Sequence, residues 1–266
     1  MKKKRLFLSL VAILLLPCMI WVIWGNVTVG LTYVTVTQKA LPSGFDGYRV
    51  AHVSDLHNSS LWIQTIQRLQ EAKPDIICIT GDLVDDNRTD LGVALEFAAE
   101  AVKIAPCYYI PGNHEGSLDA DVYESLLERL TAVGITVLED AQVLLTCGED
   151  TISVAGRAWC PWDELDQLSD FDGYRLLLSH RPEHLADYVA AEYDLVLTGH
   201  AHGGQFCLPF IGGIYAPHQG FFPEYDSGLH EEGDTVMFIS RGIGNSVFPV
   251  RINNRPEVIL ITLACG

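Results

Sequence analysis

Aspartate, asparagine and histidine recur in five short groups along this chain of 266 residues: Asp55-Leu56-His57, Gly81-Asp82, Gly112-Asn113-His114, His180, and Gly199-His200-Ala201-His202. Each group follows a short apolar run that reads as a buried strand. Together they offer carboxylate and amide oxygens and imidazole nitrogens, the donors that divalent cations such as Mn²⁺, Fe²⁺ and Zn²⁺ take. Two adjacent ions need about this many donors, arriving from several strand ends, and such pairs activate water for hydrolysis. Any one group alone has a blander reading. Asp55 could cap a helix, and Gly-Asp or Gly-Asn is an ordinary turn. Their joint occurrence, each after a strand, sets those readings aside.

The elements that must position these groups are legible. In Asp55-x-His57 and His200-x-His202, extended backbone would put both side chains of a pair on one face. Residues 27–38 alternate and are rich in Thr, which predicts a strand. Residues 48–53 and 74–80 predict strands before the first two groups, and residues 107–110 a third. Helical spacing covers residues 60–72, 91–104 and 122–133. Strands follow at 136–138, 142–146, 151–156, 175–179, 195–198, 235–240 and 258–262. Strand–helix alternation followed by strand-dense sequence predicts an α/β sandwich, two facing sheets with helices outside. In open α/β sheets ligands collect at the carboxyl ends of strands, where all five groups fall. Residues 203–228, rich in Gly, Pro and aromatics, predict a long functional loop.

Lys2-Lys3-Lys4-Arg5 precede residues 6–24, nineteen positions without a charge. That run can cross a bilayer as a helix. It ends in Trp21 and Trp24 rather than a small-x-small cleavage site, which favours an uncleaved anchor over a signal peptide. The basic flank puts the N-terminus in the cytoplasm and the domain outside the membrane. The organisation read from the chain is an anchor at 1–25, a linker with the first strand at 26–44, and one domain at 45–266. Outside the anchor, 13 Lys+Arg face 34 Asp+Glu. That field repels nucleic acid and anionic lipid headgroups at long range, so no nucleic acid is expected as a partner. Seven cysteines without a CxxC pair do not form a disulfide framework or a cysteine zinc site. No obligate protein partner is evident.

The groups resemble the pattern of the calcineurin-like metallophosphoesterases: D-x-H, G-D, G-N-H-[DE], H, G-H-x-H. Asp55-Leu56-His57, Gly81-Asp82, Gly112-Asn113-His114-Glu115, His180 and Gly199-His200-Ala201-His202 fill every place. The resemblance is to a bacterial membrane-anchored, phosphodiesterase-like subgroup and covers roughly residues 45–263. It implies a four-layer αββα sandwich carrying two divalent metals; mixed nitrogen and oxygen donors without thiolate do not select one metal sharply, and Mn²⁺ is favoured, with Zn²⁺ or Fe as the other choices. It implies that Asp55, His57 and His202 hold one metal, that Asn113, His180 and His200 hold the second, and that Asp82 bridges. A metal-bridging hydroxide would attack phosphorus in line, with His114 as the catalytic histidine beside the metals.

Arg181, Arg241 and His218 are candidate substrate-binding residues. Trp159 and Trp162 are candidates for stacking a base or packing a lid. His52 reads as a core residue. The protein phosphatases of this family carry Gly-Asp-x-Val-Asp-Arg-Gly, whereas this chain has Gly81-Asp82-Leu83-Val84-Asp85-Asp86-Asn87. An acid in the arginine's place favours a phosphodiester over a phosphomonoester. The alternatives are a phosphomonoesterase, a lipid-linked pyrophosphate hydrolase of the UDP-diacylglucosamine type, suited by a membrane tether and an aromatic loop, and a non-catalytic binding protein.

Overall fold

The computed structural model describes residues 2–158, 171–246 and 248–266, and within the N-terminal helix the side chains of residues 13 and 15–27. Trp159, Cys160 and Trp162 lie outside the described residues. Helix α1 (Lys2–Val27) runs through the whole uncharged segment and past its expected end, with Pro17 inside it. Among the described residues no helix is long and apolar enough to cross a membrane.

The domain is built on two six-stranded sheets. The first contains β1 (Gly30–Gln38), β2 (Arg49–Val53), β3 (Ile76–Thr80), β4 (Cys107–Ile110) and β5 (Thr136–Val137), and it closes with β16 (Glu257–Cys265), inserted between β1 and β2. The second runs β14 (Gly228–Glu232), β15 (Thr235–Ile239), β9 (Leu195–Thr198), β8 (Arg175–Leu178), β7 (Asp150–Gly156) and β6 (Ala141–Cys147). Four two-residue strands, β10 (Cys207–Leu208), β11 (Gly212–Gly213), β12 (Tyr215–Ala216) and β13 (Gly220–Phe221), fold the predicted long loop into two small hairpins.

Three apolar layers hold the sheets. Ile76 and Cys78 of β3 face the second sheet, meeting Leu176 and Leu178 of β8 and Leu195 and Leu197 of β9. Ile77 and Ile79 face the other way, onto α2 (Trp62–Ala72), α3 (Leu91–Ala101) and, beyond the one-turn α4 (Asn113–Gly116), α5 (Ala120–Val133). Leu177 and Val196 pack outward under Leu185 and Tyr188 of α6 (Leu185–Ala190). These strands are buried on both faces, which is why they read as unbroken apolar runs rather than alternating ones. The result is the expected α/β sandwich. Strand β14 was not legible, because it is a largely exposed edge strand. The described cysteines are all free.

Candidate metal centre

All five groups converge at the carboxyl ends of β2, β3, β4, β8 and β9. Three of them do so through left-handed backbone. Asp55, His57, Asp82, His200 and His202 have φ of 53°, 46°, 53°, 66° and 49°. Non-glycine residues there cost about 1–3 kcal/mol each at strained positions, and such strain gathers at functional sites. The expectation of extended pairs sharing a face is therefore corrected. The left-handed turn at His200 sends its ring to one donor cluster and that of His202 to another.

The first cluster is Asp55, His57, Asp82 and His202, all buried. His57 Nε2 lies 3.2 Å from His202 Nε2, 3.5 Å from Asp82 Oδ2 and 3.9 Å from Asp55 Oδ1. His202 Nε2 lies 3.6 Å from Asp55 Oδ1. The second cluster is Asp82, His180 and His200. His180 Nε2 lies 3.1 Å from Asp82 Oδ2, 3.1 Å from Asn113 Oδ1 and 3.2 Å from His200 Nδ1. Asp82 Oδ2 thus faces both clusters, while its Oδ1 accepts the His114 backbone N–H at 3.0 Å.

The surroundings fix which atoms point inward. His180 Nδ1 donates to the Thr80 carbonyl at 2.7 Å, leaving Nε2 to face the cluster. The Asp55 carboxylate accepts the His200 N–H. A β-carbon at Gly199 would collide with Ser54 Oγ and the Asp55 carboxylate, so the glycine ahead of His200 is a requirement of close packing. Glu115, fully buried, accepts the N–H groups of Asp82, Val84 and Gly112 at 2.8, 3.0 and 2.7 Å, pinning two ligand loops together. It belongs to the Asn-His-Glu motif, but nothing local reveals this cradle.

Burial pushes Asp55 up to about 6 and His57 down to about 4. Burial also holds His200 and His202 well below the usual imidazole value. It opposes charge on both members of the Asp82–His180 pair, yet their attraction prevails: Asp82 is held below the carboxylate range and His180 is raised to about 10. This donor set fits divalent cations. Donors sharing an ion at ~2.1 Å stand roughly 3.0–3.5 Å apart, near the separations seen here. Two imidazoles driven neutral and facing each other Nε2 to Nε2 share at most one proton, and a cation between them satisfies both. The mixed N/O set without thiolate admits Mn²⁺, Fe²⁺ or Zn²⁺.

His114 Nδ1 lies 2.7 Å from Asp86 Oδ1, and its Nε2 lies 3.2 Å from Ser246 Oγ. Its ring meets His57 edge-on at 4.5 Å. A cavity of about 540 Å³ opens over Asp82, Asn113, His114, His200 and His202, walled by Phe206, Ile214, Tyr215, Phe221 and Phe248. His218 lines it, with Nδ1 2.8 Å from His200 Nε2. Arg181 is tied to Glu183 and does not line the cavity. Arg241 lies elsewhere, beside Glu257 and lining a separate cavity against α1, because Gly242 turns the chain in left-handed backbone directly after it. His52 is a core residue, its Nε2 2.8 Å from Thr80 Oγ1. Arg251, fully buried, places Nη2 3.4 Å from His202 Nδ1, and no sequence signal marked it.

Comparison with known proteins agrees with this geometry. Residues 48–204 match the family described as calcineurin-like phosphoesterase. The uncharacterized metallophosphoesterase YkuE of Bacillus subtilis is 31% identical over 254 residues, covering 86% of this chain and 83% of that protein. The phosphodiesterase YaeI of Escherichia coli is 29% identical over 224 residues, 81% of this chain and 82% of that protein. The UDP-2,3-diacylglucosamine pyrophosphatase LpxG of Chlamydia trachomatis is 25% identical over 318 residues, 95% of each.

Proposed function

This chain belongs to the calcineurin-like phosphoesterases and is a metal-dependent hydrolase of phosphoric esters; from that premise we propose that it cleaves phosphodiesters at a two-metal site. Asp55, His57 and His202 would hold one divalent ion, and Asn113, His180 and His200 the other, with Asp82 facing both. Mn²⁺ is the favoured pair. When bound, the ions would supply Lewis acidity toward phosphoryl oxygens and lower the pKa of water.

The chain's own groups do the rest. Thr80 and Glu115 keep the donor atoms aimed inward. Asp86 orients His114, whose Nε2 faces Ser246 and the cavity. In its protonated form His114 donates from Nε2 to the oxygen that leaves phosphorus. The aromatic wall excludes water from the rest of the substrate.

The observation that carries the diester reading is the charge of the cavity lining. Among its described residues there is no Lys or Arg, and Asp86 stands at the rim. A terminal phosphate dianion meets that acid without a side-chain cation, whereas a diester carries one charge fewer. The phosphodiesterase name of YaeI is in line with this. The apolar wall, together with the name of LpxG, supports a second reading, in which the bond cleaved is the phosphoanhydride of a pyrophosphate-linked amphiphile.

The same reading places α1 in the membrane, with the N-terminus cytoplasmic and the domain outside. Its support is the tetrabasic flank and a helix of 26 residues whose described apolar side chains, among them Leu15, Leu16, Met19, Ile20 and Ile23, are exposed to the surroundings.

The test is turnover by the full chain in detergent, stripped by chelation and reloaded with Mn²⁺. Bis-p-nitrophenyl phosphate and p-nitrophenyl phosphate are offered side by side, with His200→Ala as control. Metal-dependent diester turnover, absent from the control, is expected. Faster monoester turnover overturns the diester assignment. Metal binding without turnover of either substrate turns the search to the pyrophosphate amphiphile.

A further inference from the structure

A second cavity, about 190 Å³, lies where the last turns of α1 meet residues 251–255. Its lining includes Trp21, Trp24, Arg241, Arg251 and Arg255, with no acid among the described residues. Three guanidinium groups at one spot are unusual in a chain of net charge −17. They are not equally engaged. Arg251 is spent on the Asn245 side chain and the carbonyls of Arg241 and Gly244. Arg255 bonds Thr28 and the Val29 carbonyl and lies over the Trp24 ring at 4.3 Å. Arg241 is left: Nη1 is 3.8 Å from Glu257, and its buried Nε has no hydrogen-bond partner.

We infer that this junction cavity binds the phosphate headgroup of an anionic phospholipid, gripped by Arg241 and flanked by Trp21 and Trp24. A guanidinium with unused donors is matched to phosphate oxygens, which it takes in pairs. Tryptophans collect at the lipid–water boundary, with the indole body in the apolar layer and its polar edge in the headgroups. Here both sit on the final turns of α1, half exposed, at 46% and 47%. The mutual bonds of Asn26 and the Arg251 backbone hold the helix end against the cavity wall. At roughly 30 Å³ per water the space holds about six waters, enough for a phosphate and part of its glycerol. The inference rests on the reading of α1 as a membrane helix.

The test uses the full chain in a non-ionic detergent. Thermal unfolding is followed with added phosphatidylglycerol, phosphatidylcholine or inorganic phosphate, alongside native mass spectrometry for retained lipid. Phosphatidylglycerol is expected to raise the unfolding temperature and to be retained one per chain, with phosphatidylcholine ineffective. Arg241→Gln weakens that binding about tenfold, the worth of one charged hydrogen bond, and Arg241→Lys restores part of it. The lipid-free unfolding temperature of each variant reports whether it folds. Equal protection by phosphatidylcholine, equal protection by inorganic phosphate, or unchanged binding by Arg241→Gln overturns the assignment. Flotation of the full chain with vesicles is scored separately. A chain that floats but shows no lipid selectivity loses only the headgroup site, whereas one that does not float loses the membrane reading and the site with it.

Discussion

Asp86 Oδ1 lies 2.7 Å from His114 Nδ1, so the acid that stands where the family's phosphatases carry arginine is the partner of the histidine whose ring meets His57. One substitution in the motif thereby removes a side-chain cation from the cavity and supplies an orienting carboxylate.

Asp86→Ala is expected to lower kcat for bis-p-nitrophenyl phosphate by about tenfold or more, within the range of a positioned proton donor. Asp86→Asn should recover part of the loss, because an amide oxygen can still accept from Nδ1. Asp86→Arg should raise the ratio of monoester to diester turnover. Steady-state kinetics on both substrates checks this, and an unchanged ratio in the arginine variant would refute the charge argument.

Removing metal should destabilise the fold. Asp55, His57, Asp82 and His202 crowd buried carboxylates and imidazoles that a cation otherwise satisfies. An ion held at 100 times its dissociation constant stabilises by about 2.7 kcal/mol, which for a domain of this size is a Tm shift of roughly 5–10 °C. Differential scanning calorimetry with and without chelator measures it. The gain on adding Mn²⁺ should shrink in His200→Ala.

Glu115→Ala strands three buried N–H groups, those of Asp82, Val84 and Gly112. At about 1–2 kcal/mol each the loss is roughly 3–6 kcal/mol, read by urea unfolding. Metal affinity should fall as well, since the same bonds hold the loops of Asp82 and Asn113. Glu115→Gln, which keeps an acceptor oxygen, should fall between the two. Wild-type stability in the alanine variant would show that the cradle is dispensable.

His52 makes a pH-dependent contribution. Burial pushes its imidazole from 6.5 down to about 3, so the folded chain holds it neutral. The depressed folded value means that stability is complete above 6.5 and is lost as pH falls from there toward 3, by up to about 1.4 kcal/mol per unit. His52→Gln keeps a partner for Thr80 and cannot titrate. The stability difference between wild type and variant, measured in chelator at pH 7, 6 and 5, should move against the wild type at each step. A constant difference would mean that His52 takes up its proton without unfolding.

Much of this protein is legible in its residues because local patterning and burial agree. The near-continuous apolar runs before Asp82, His180 and His200 mark strands covered on both faces, and donor residues at their ends mark the site. The tertiary structure decided the rest. Left-handed backbone at His200 and His202, rather than the extended pairing read from the sequence, carries one ring to each cluster. The partnership of Asp86 with His114, the Glu115 cradle, and the approach of Arg251 to His202 join residues 28, 31 to 33 and 49 positions apart. Arg241, a candidate for the substrate in the sequence, faces α1 instead. Periodicity reports only which face a residue takes within its own element; which distant side chain it meets there is set by how the sheets, loops and helix end are packed together.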